Sequence, residues 1–155
     1  MRCYDKWWLS KDMDNMGYLF EYCDEYCKEL YGIDIDKIKL LTGFMNSRFR
    51  RLMEIGHPKF LSQSARDSLR QWIQVDYNNN LNKFKLRGIK NEYNHNQFYW
   101  IGWTYAYIHY KTKLSSRTII HRLPIKKMLM NYNLGHEMSK EVFYSHIQNQ
   151  VVSCK

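Results

Sequence analysis

Between Met13 and Leu30 the apolar residues fall at Met13, Met16, Phe20, Cys23, Cys27 and Leu30, in steps of three and four. That period puts them on one face of a helix, which Gly32 is suited to end. Asp34 then caps a second helix carrying Ile35, Ile38, Leu41, Phe44 and Met45. The pattern continues with a break through Arg48 to Ile55, and the Gly56-His57-Pro58 run terminates it, because proline cannot continue a helix. Ser62 or Ser64 opens a further helix with Leu69, Trp72 and Ile73, which gives way to the polar Asn78-Asn79-Asn80 loop and a basic connector, Lys83 to Lys90.

The segment from Gln97 to Tyr110, QFYWIGWTYAYIHY, is apolar on all sides. Asn94 with Gln97 three residues later fits a capping box, with Asn in place of Ser or Thr. A helix that is hydrophobic all round lies in the middle of a protein, and this one is too short to span a membrane. Partial alternation from Thr104 to Tyr110 would also suit a strand, yet no second strand-like run is present to pair with it. Gly102 and Ala106, four apart, leave a shallow groove for close approach of a neighbouring helix. Ser115 or Ser116 caps a short helix through Leu123, and Pro124 takes the first helical position of the next, which reaches Tyr132 and ends at Asn133-Leu134-Gly135. Ser139 opens a last helix with Val142, Phe143, His146 and Ile147. The pattern predicts an all-α fold, a single compact domain of about seven helices packed around a buried aromatic helix over residues 97–111. The ends, 1–12 and 148–155, are expected to fray.

Composition changes this picture little. The chain has 155 residues, enough for one core without disulfide or metal staples. It is rich in Lys, Asn and Tyr and poor in Ala and Gly, as an AT-rich coding sequence would make it, so abundance of lysine or aromatics is not by itself functional. The four cysteines, Cys3, Cys23, Cys27 and Cys154, read as thiols. Cys23 and Cys27 lie one helical turn apart, and no second Cys or His pair at matching spacing completes a tetrahedral metal site. No metal or other cofactor is expected. The N-terminus lacks the apolar run of a signal peptide, which points to a soluble, cytoplasmic protein.

Charge changes it more. The net charge is +9. Residues 1–37 hold nine acids and five bases, and residues 38–155 hold six acids and nineteen bases. Ten bases, Lys83, Lys85, Arg87, Lys90, Lys111, Lys113, Arg117, Arg122, Lys126 and Lys127, stand against Glu92 alone between residues 83 and 127. If they share a face, that face attracts phosphates or acidic protein surfaces. The expected partner is therefore an acidic protein or a nucleic acid bound through this window. The acids of the first helix suit the same face within the molecule or in a second copy, a homodimer. A helix-turn-helix reading of residues 116–132 is weakened by Pro124 and by the apolar run Met128-Leu129-Met130.

Signals for catalysis are sparse. Arg51 and His57, in RLMEIGH, resemble the arginine–histidine motif of helical ribonucleases of the HEPN class, in which arginine would stabilise phosphate charge and histidine would move a proton. Arg117 and His121, with His109 as a third member, would suit the same chemistry. No zinc-protease motif, phosphate loop or nucleophile elbow is present.

The C-terminal half, QFYWIGWTYAYIHY followed by KLSSRTIIHRLPIKKMLMNYNLGHEM, resembles small uncharacterised proteins encoded in bacterial toxin-antitoxin or mobile-element loci. The resemblance implies a non-enzymatic interaction protein, antitoxin-like or regulatory, and assigns no functional residues. Two alternatives stand beside it: a ribonuclease-type toxin using the arginine–histidine pairs, and a phage inhibitor of a nucleic-acid-guided defence nuclease.

Overall fold

Gly32 takes a left-handed backbone, φ +66°, and ends the first helix, α1 (Cys3–Tyr31). In the computed structural model, backbone is described for residues 3–55, 63–88 and 95–152, and side chains for residues 8–55, 63–88 and 96–152. Among them follow α2 (Lys37–Met45), α3 (Arg48–Glu54), α4 (Ala65–Tyr77), a single 3-10 turn (Asn82–Phe84), α5 (His95–Thr112), α6 (Ser116–Arg122), α7 (Ile125–Gly135) and α8 (Lys140–Val152). The fold is a single all-α domain of eight α-helices among the described residues, one more than the apolar pattern predicts. The extra one comes from the break after Met45, which starts a new helix. No helix among the described residues is long and apolar enough to cross a membrane.

The caps are side chains accepting backbone N–H groups that the first helical turn leaves unpaired. Asp36, rather than Asp34, caps α2; Ser47 caps α3, Ser64 caps α4 and Ser115 caps α6. Pro124 stands one place earlier than expected, as the residue preceding α7. The proposed capping pair Asn94–Gln97 cannot be placed, because Asn94 lies outside the described residues.

The core is built on α5 lying along α1. Phe98, Ile101, Tyr105, Ala106 and Ile108 of α5 are buried, as are Met16, Leu19, Phe20, Cys23 and Cys27 of α1. Gly102 makes the approach possible: a Cβ there would run into the backbone carbonyl of Met16. Tyr105 crosses the core edge-on to Phe20 and donates its hydroxyl to the Leu123 carbonyl at 2.6 Å. A second cluster, Phe44, Trp72, Tyr77 and Phe84, joins α2, α4 and the 3-10 turn through edge-to-face contacts. There an antiparallel bridge between Ile35 and Lys85 ties the basic connector to the residues before α2.

Within the stretches expected to fray, α1 begins at Cys3 with Asp12 fully buried, and α8 runs to Val152 with Val151 fully buried. Gly135 is not a left-handed cap but a buried helical residue. A Cβ on it would strike the rings of Trp100 and Phe143, so it is small for the sake of packing. Cys23 and Cys27 are buried free thiols, as read from the sequence, and burial raises both, Cys27 to about 12. Gly102→Ala should force α5 off α1 and cost about 1–3 kcal/mol of unfolding free energy in urea titration; an unchanged midpoint would contradict the close approach.

Candidate functional site

Arg48, Arg50 and Arg51 belong to one short helix and have different fates. Arg50 points inward and is fully buried, and Arg48 and Arg51 are exposed. Arg50 grips Asp12 of α1 with both guanidinium ends, at 2.7 and 2.9 Å, a bidentate geometry that suits a desolvated pair. Its Nε donates to the Ser116 hydroxyl at 3.2 Å and lies 3.5 Å from Glu54. Glu54 is also buried, and its Oε1 accepts the Ser116 backbone N–H at 2.7 Å. Burial works against the charge of Arg50, but Asp12 and Glu54 more than offset it and raise its pKa. The network pins α1, α3 and α6 at a single point.

Two carboxylates and one guanidinium leave this buried trio with one negative charge in excess. Arg51, half exposed, supplies the balance through a 3.1 Å contact with Glu54 Oε2. His109 of α5 approaches the same oxygen at 4.0 Å. Its Nδ1 lies 2.7 Å from the Leu114 carbonyl, an acceptor only, so Nδ1 carries the proton. Trp8 meets the ring edge-on. Burial lowers the His109 pKa below its ordinary value, and Arg50 assists, against an upward pull from Glu54.

Above this network lies a groove in two adjoining lobes. The first, about 330 Å³, is lined by Met45, Asn46, Ser47, Arg48, Arg51, Glu54, Ser115, Ser116 and Arg117. The second, about 490 Å³, shares Asn46, Ser47, Arg48 and Arg117, and adds Lys39, Thr42, Gly43, Asp76, Tyr77, Lys83 and Phe84. The turn between α2 and α3 is held rigid. Ser47 Oγ donates to the Phe44 carbonyl at 2.6 Å and accepts the Arg50 N–H at 3.0 Å, and Asn46 Nδ2 donates to Thr42 at 2.9 Å. Arg117 is clamped to this turn through the Asn46 carbonyl at 2.9 Å. The groove therefore gathers Lys39, Arg48, Arg51, Lys83 and Arg117 from α2, α3, the 3-10 turn and α6, with Asp76 its single exposed acid among the described residues.

Of the ten bases in the 83–127 window, Lys83 and Arg117 meet here. Lys85 lines a different cleft with Asp34 and Leu86. Arg122 is turned inward to the Val151 carbonyl at 2.6 Å, and the Lys113 ammonium sits 4.7 Å above the Tyr110 ring. Lys111, Lys126, Lys127 and Arg87 are exposed, the first three on α5 and α7 and the last after the 3-10 turn; Lys90 lies outside the described residues. Lys39 and Arg48 were not singled out by the sequence reading, and their spacing to Arg51 along α2 and α3 carries no signal of a shared groove. Two acids of α1 meet bases outside the window: Asp24 pairs with Lys37 at 3.4 Å and Glu29 with Arg66 at 2.7 Å.

The arginine–histidine pairs fare differently. Arg51 lines the groove, and His57 lies outside the described residues. His121 is exposed on α6, whereas Arg117 turns to Asn46 and His109 is buried behind Glu54. Neither histidine lines either lobe.

Removing Arg50 leaves two buried carboxylates without their common partner. Arg50→Met should cost about 3–5 kcal/mol, against about 0.5 kcal/mol for Arg48→Ala, both measured by urea unfolding; equal effects would contradict the network. His109 adds a pH dependence. With its folded pKa depressed below 6.5, the unfolded chain takes up a proton where the folded chain does not. Its contribution is therefore complete above the ordinary histidine range and lost as pH falls through and below about 6.5. Thermal melts should show the wild type losing stability over that fall more steeply than His109→Gln, and parallel curves would exclude the effect. Comparison with protein-family models, curated proteins and solved structures finds no match for the chain.

Proposed function

We propose that this chain is a non-enzymatic interaction protein that binds a nucleic-acid strand through the groove between α2, α3 and α6. The observation that carries the reading is the convergence of Lys39, Arg48, Arg51, Lys83 and Arg117 on one groove with a single exposed acid among the described residues. Such a surface draws a phosphate chain by releasing its counterions, without regard to base sequence. Two further features favour nucleic acid over an acidic protein. The large exposed apolar side chains, Tyr18, Ile55, Val75, Met130, Leu134, Val142 and Val152, line neither lobe, and protein interfaces centre on apolar or aromatic anchors. The groove cations are also fixed by the fold, at Arg51 through Glu54 and at Arg117 through Asn46, which lowers the cost of ordering them on binding.

A binding role is favoured over a reaction because the acids in the groove are already engaged. Glu54 accepts from Ser116 and Arg51, and Asp76 accepts the Trp72 indole N–H at 2.9 Å. Among the described residues no histidine lines either lobe to move a proton beside them. In the setting that the toxin-antitoxin and mobile-element resemblance implies, the protein would act as an antitoxin-like or regulatory component.

Fluorescence anisotropy with a single strand of about ten nucleotides, the span of one binding groove, tests the reading. Arg48→Glu with Arg117→Glu should weaken binding by more than about thirtyfold, or ~2 kcal/mol, while Lys126→Glu with Lys127→Glu, away from the groove, changes it little. Equal losses in the two double variants, or retention of an acidic protein but no strand in a nuclease-treated affinity capture, would overturn the nucleic-acid reading. Cleavage of the strand during the assay would overturn the non-enzymatic one.

A further inference from the structure

We infer, resting on the reading of the groove as a phosphate surface, that its arginine-lined lobe is a pocket for the terminal phosphomonoester of a nucleic-acid strand, with the following phosphodiesters running past Lys39 and Lys83. The buried trio of Asp12, Arg50 and Glu54 carries one excess negative charge, and Arg51 balances it through Glu54. Among the described residues Arg48 and Arg117 then remain as two uncompensated cations in a lobe of about 330 Å³. An internal phosphodiester brings one negative charge. A phosphomonoester brings about −1.5 to −2 at neutral pH, with three acceptor oxygens in place of two. The excess in this lobe matches the end of a strand.

The adjoining lobe shares Arg48 and Arg117 and adds Lys39 and Lys83 with Asp76, one positive charge beyond the shared pair, which suits the diester that follows. Lys83 is also held near the Tyr77 and Phe84 rings, 5.9 and 5.8 Å from their centroids, so it acts as a point charge beside an aromatic wall. The two lobes meet at Asn46, Ser47, Arg48 and Arg117. A strand seated with its end against Arg51 and Arg117 would pass its next phosphate between Arg48 and Lys39.

Donor geometry agrees with the charge. A guanidinium has five N–H donors in a rigid fork. Arg51 and Arg117 each use one terminal nitrogen to hold position, on Glu54 and on the Asn46 carbonyl. Among the described residues, the rest of each fork is available to phosphate oxygens. The hydroxyl of Ser47 is already committed to Phe44 and Arg50, and that of Ser115 caps α6, so recognition falls to the arginines. A diester can satisfy one such fork with its two non-bridging oxygens, whereas a monoester has a third oxygen and more charge to offer the second arginine.

Anisotropy with three thymidine strands of about ten nucleotides, one with a 5′-phosphate, one with a 3′-phosphate and one with hydroxyls at both ends, tests the inference. One phosphorylated strand should bind about tenfold more tightly than the hydroxyl strand, the effect of one or two charge-assisted hydrogen bonds. Arg48→Ala and Arg117→Ala, each checked for an unchanged circular dichroism spectrum and melting temperature, should each erase most of that preference. Lys39→Ala with Lys83→Ala should weaken all three strands alike. Equal affinity for the three strands, with groove variants still weakening them, overturns the terminal pocket and leaves the phosphate surface standing. Binding of none of the strands overturns both. Displacement by thymidine monophosphate at the concentration at which the phosphorylated strand itself competes would assign the pocket to a free nucleotide and overturn the strand-end inference.

Discussion

The buried pair of Arg50 and Asp12 is the constraint from which the rest follows. Both side chains are fully out of water, and desolvating two charges costs several kcal/mol unless geometry and further hydrogen bonds offset it. Here the offset comes from the bidentate contact with Asp12 on α1 and from the start of α6, where the Ser116 hydroxyl accepts from Arg50 and the Ser116 N–H donates to Glu54. Such a network is satisfied in one arrangement of α1, α3 and α6 and left with unpaired charge in others. Its contribution lies in specifying how the helices meet more than in net stability, which the aromatic and aliphatic core around α5 supplies.

The groove is a consequence of that arrangement. With Arg50 turned inward, the period of α3 turns Arg48 and Arg51 outward together, three residues apart. The second buried carboxylate, Glu54, demands a cation that the interior does not hold, and Arg51 provides it from the surface. Seating Ser116 against Glu54 brings Arg117, the next residue, against the turn at Asn46. The same few residues settle the buried charge and place the exposed charge. That coupling explains how three arginines come to line a lobe whose floor is itself acidic.

The sequence made the fold largely legible, because apolar spacing and cap residues are local. The central helix, the caps at Ser64 and Ser115, and the groove at Gly102 follow from neighbours within a few positions. The site was legible only in part. Asp12 sits on the core-facing side of α1 beside Met13 and Met16, where the apolar pattern leaves it looking like an outward polar residue, and the partner that explains it is Arg50. Ser116 is farther still along the chain, and RFRR offers three arginines that local pattern cannot tell apart. A run of bases between 83 and 127 suggested one surface, but Arg122 is spent on Val151 and Lys85 lies in another cleft. Gly135 shows the limit of local signals in another way: a glycine that ends a helix and one that makes room for Trp100 look the same in sequence.

The account's central claim is that Lys39, Arg48, Arg51, Lys83 and Arg117 act together on one phosphate chain. The salt dependence of strand binding measures this most directly, since each phosphate neutralised on a single strand adds about −0.7 to the slope of log K against log salt. Five bases acting together predict a slope of about −3 to −4, falling in magnitude by about 0.7 for each of Arg48→Ala and Arg117→Ala. A slope that those substitutions leave unchanged, or one near zero in the wild type, would contradict the account.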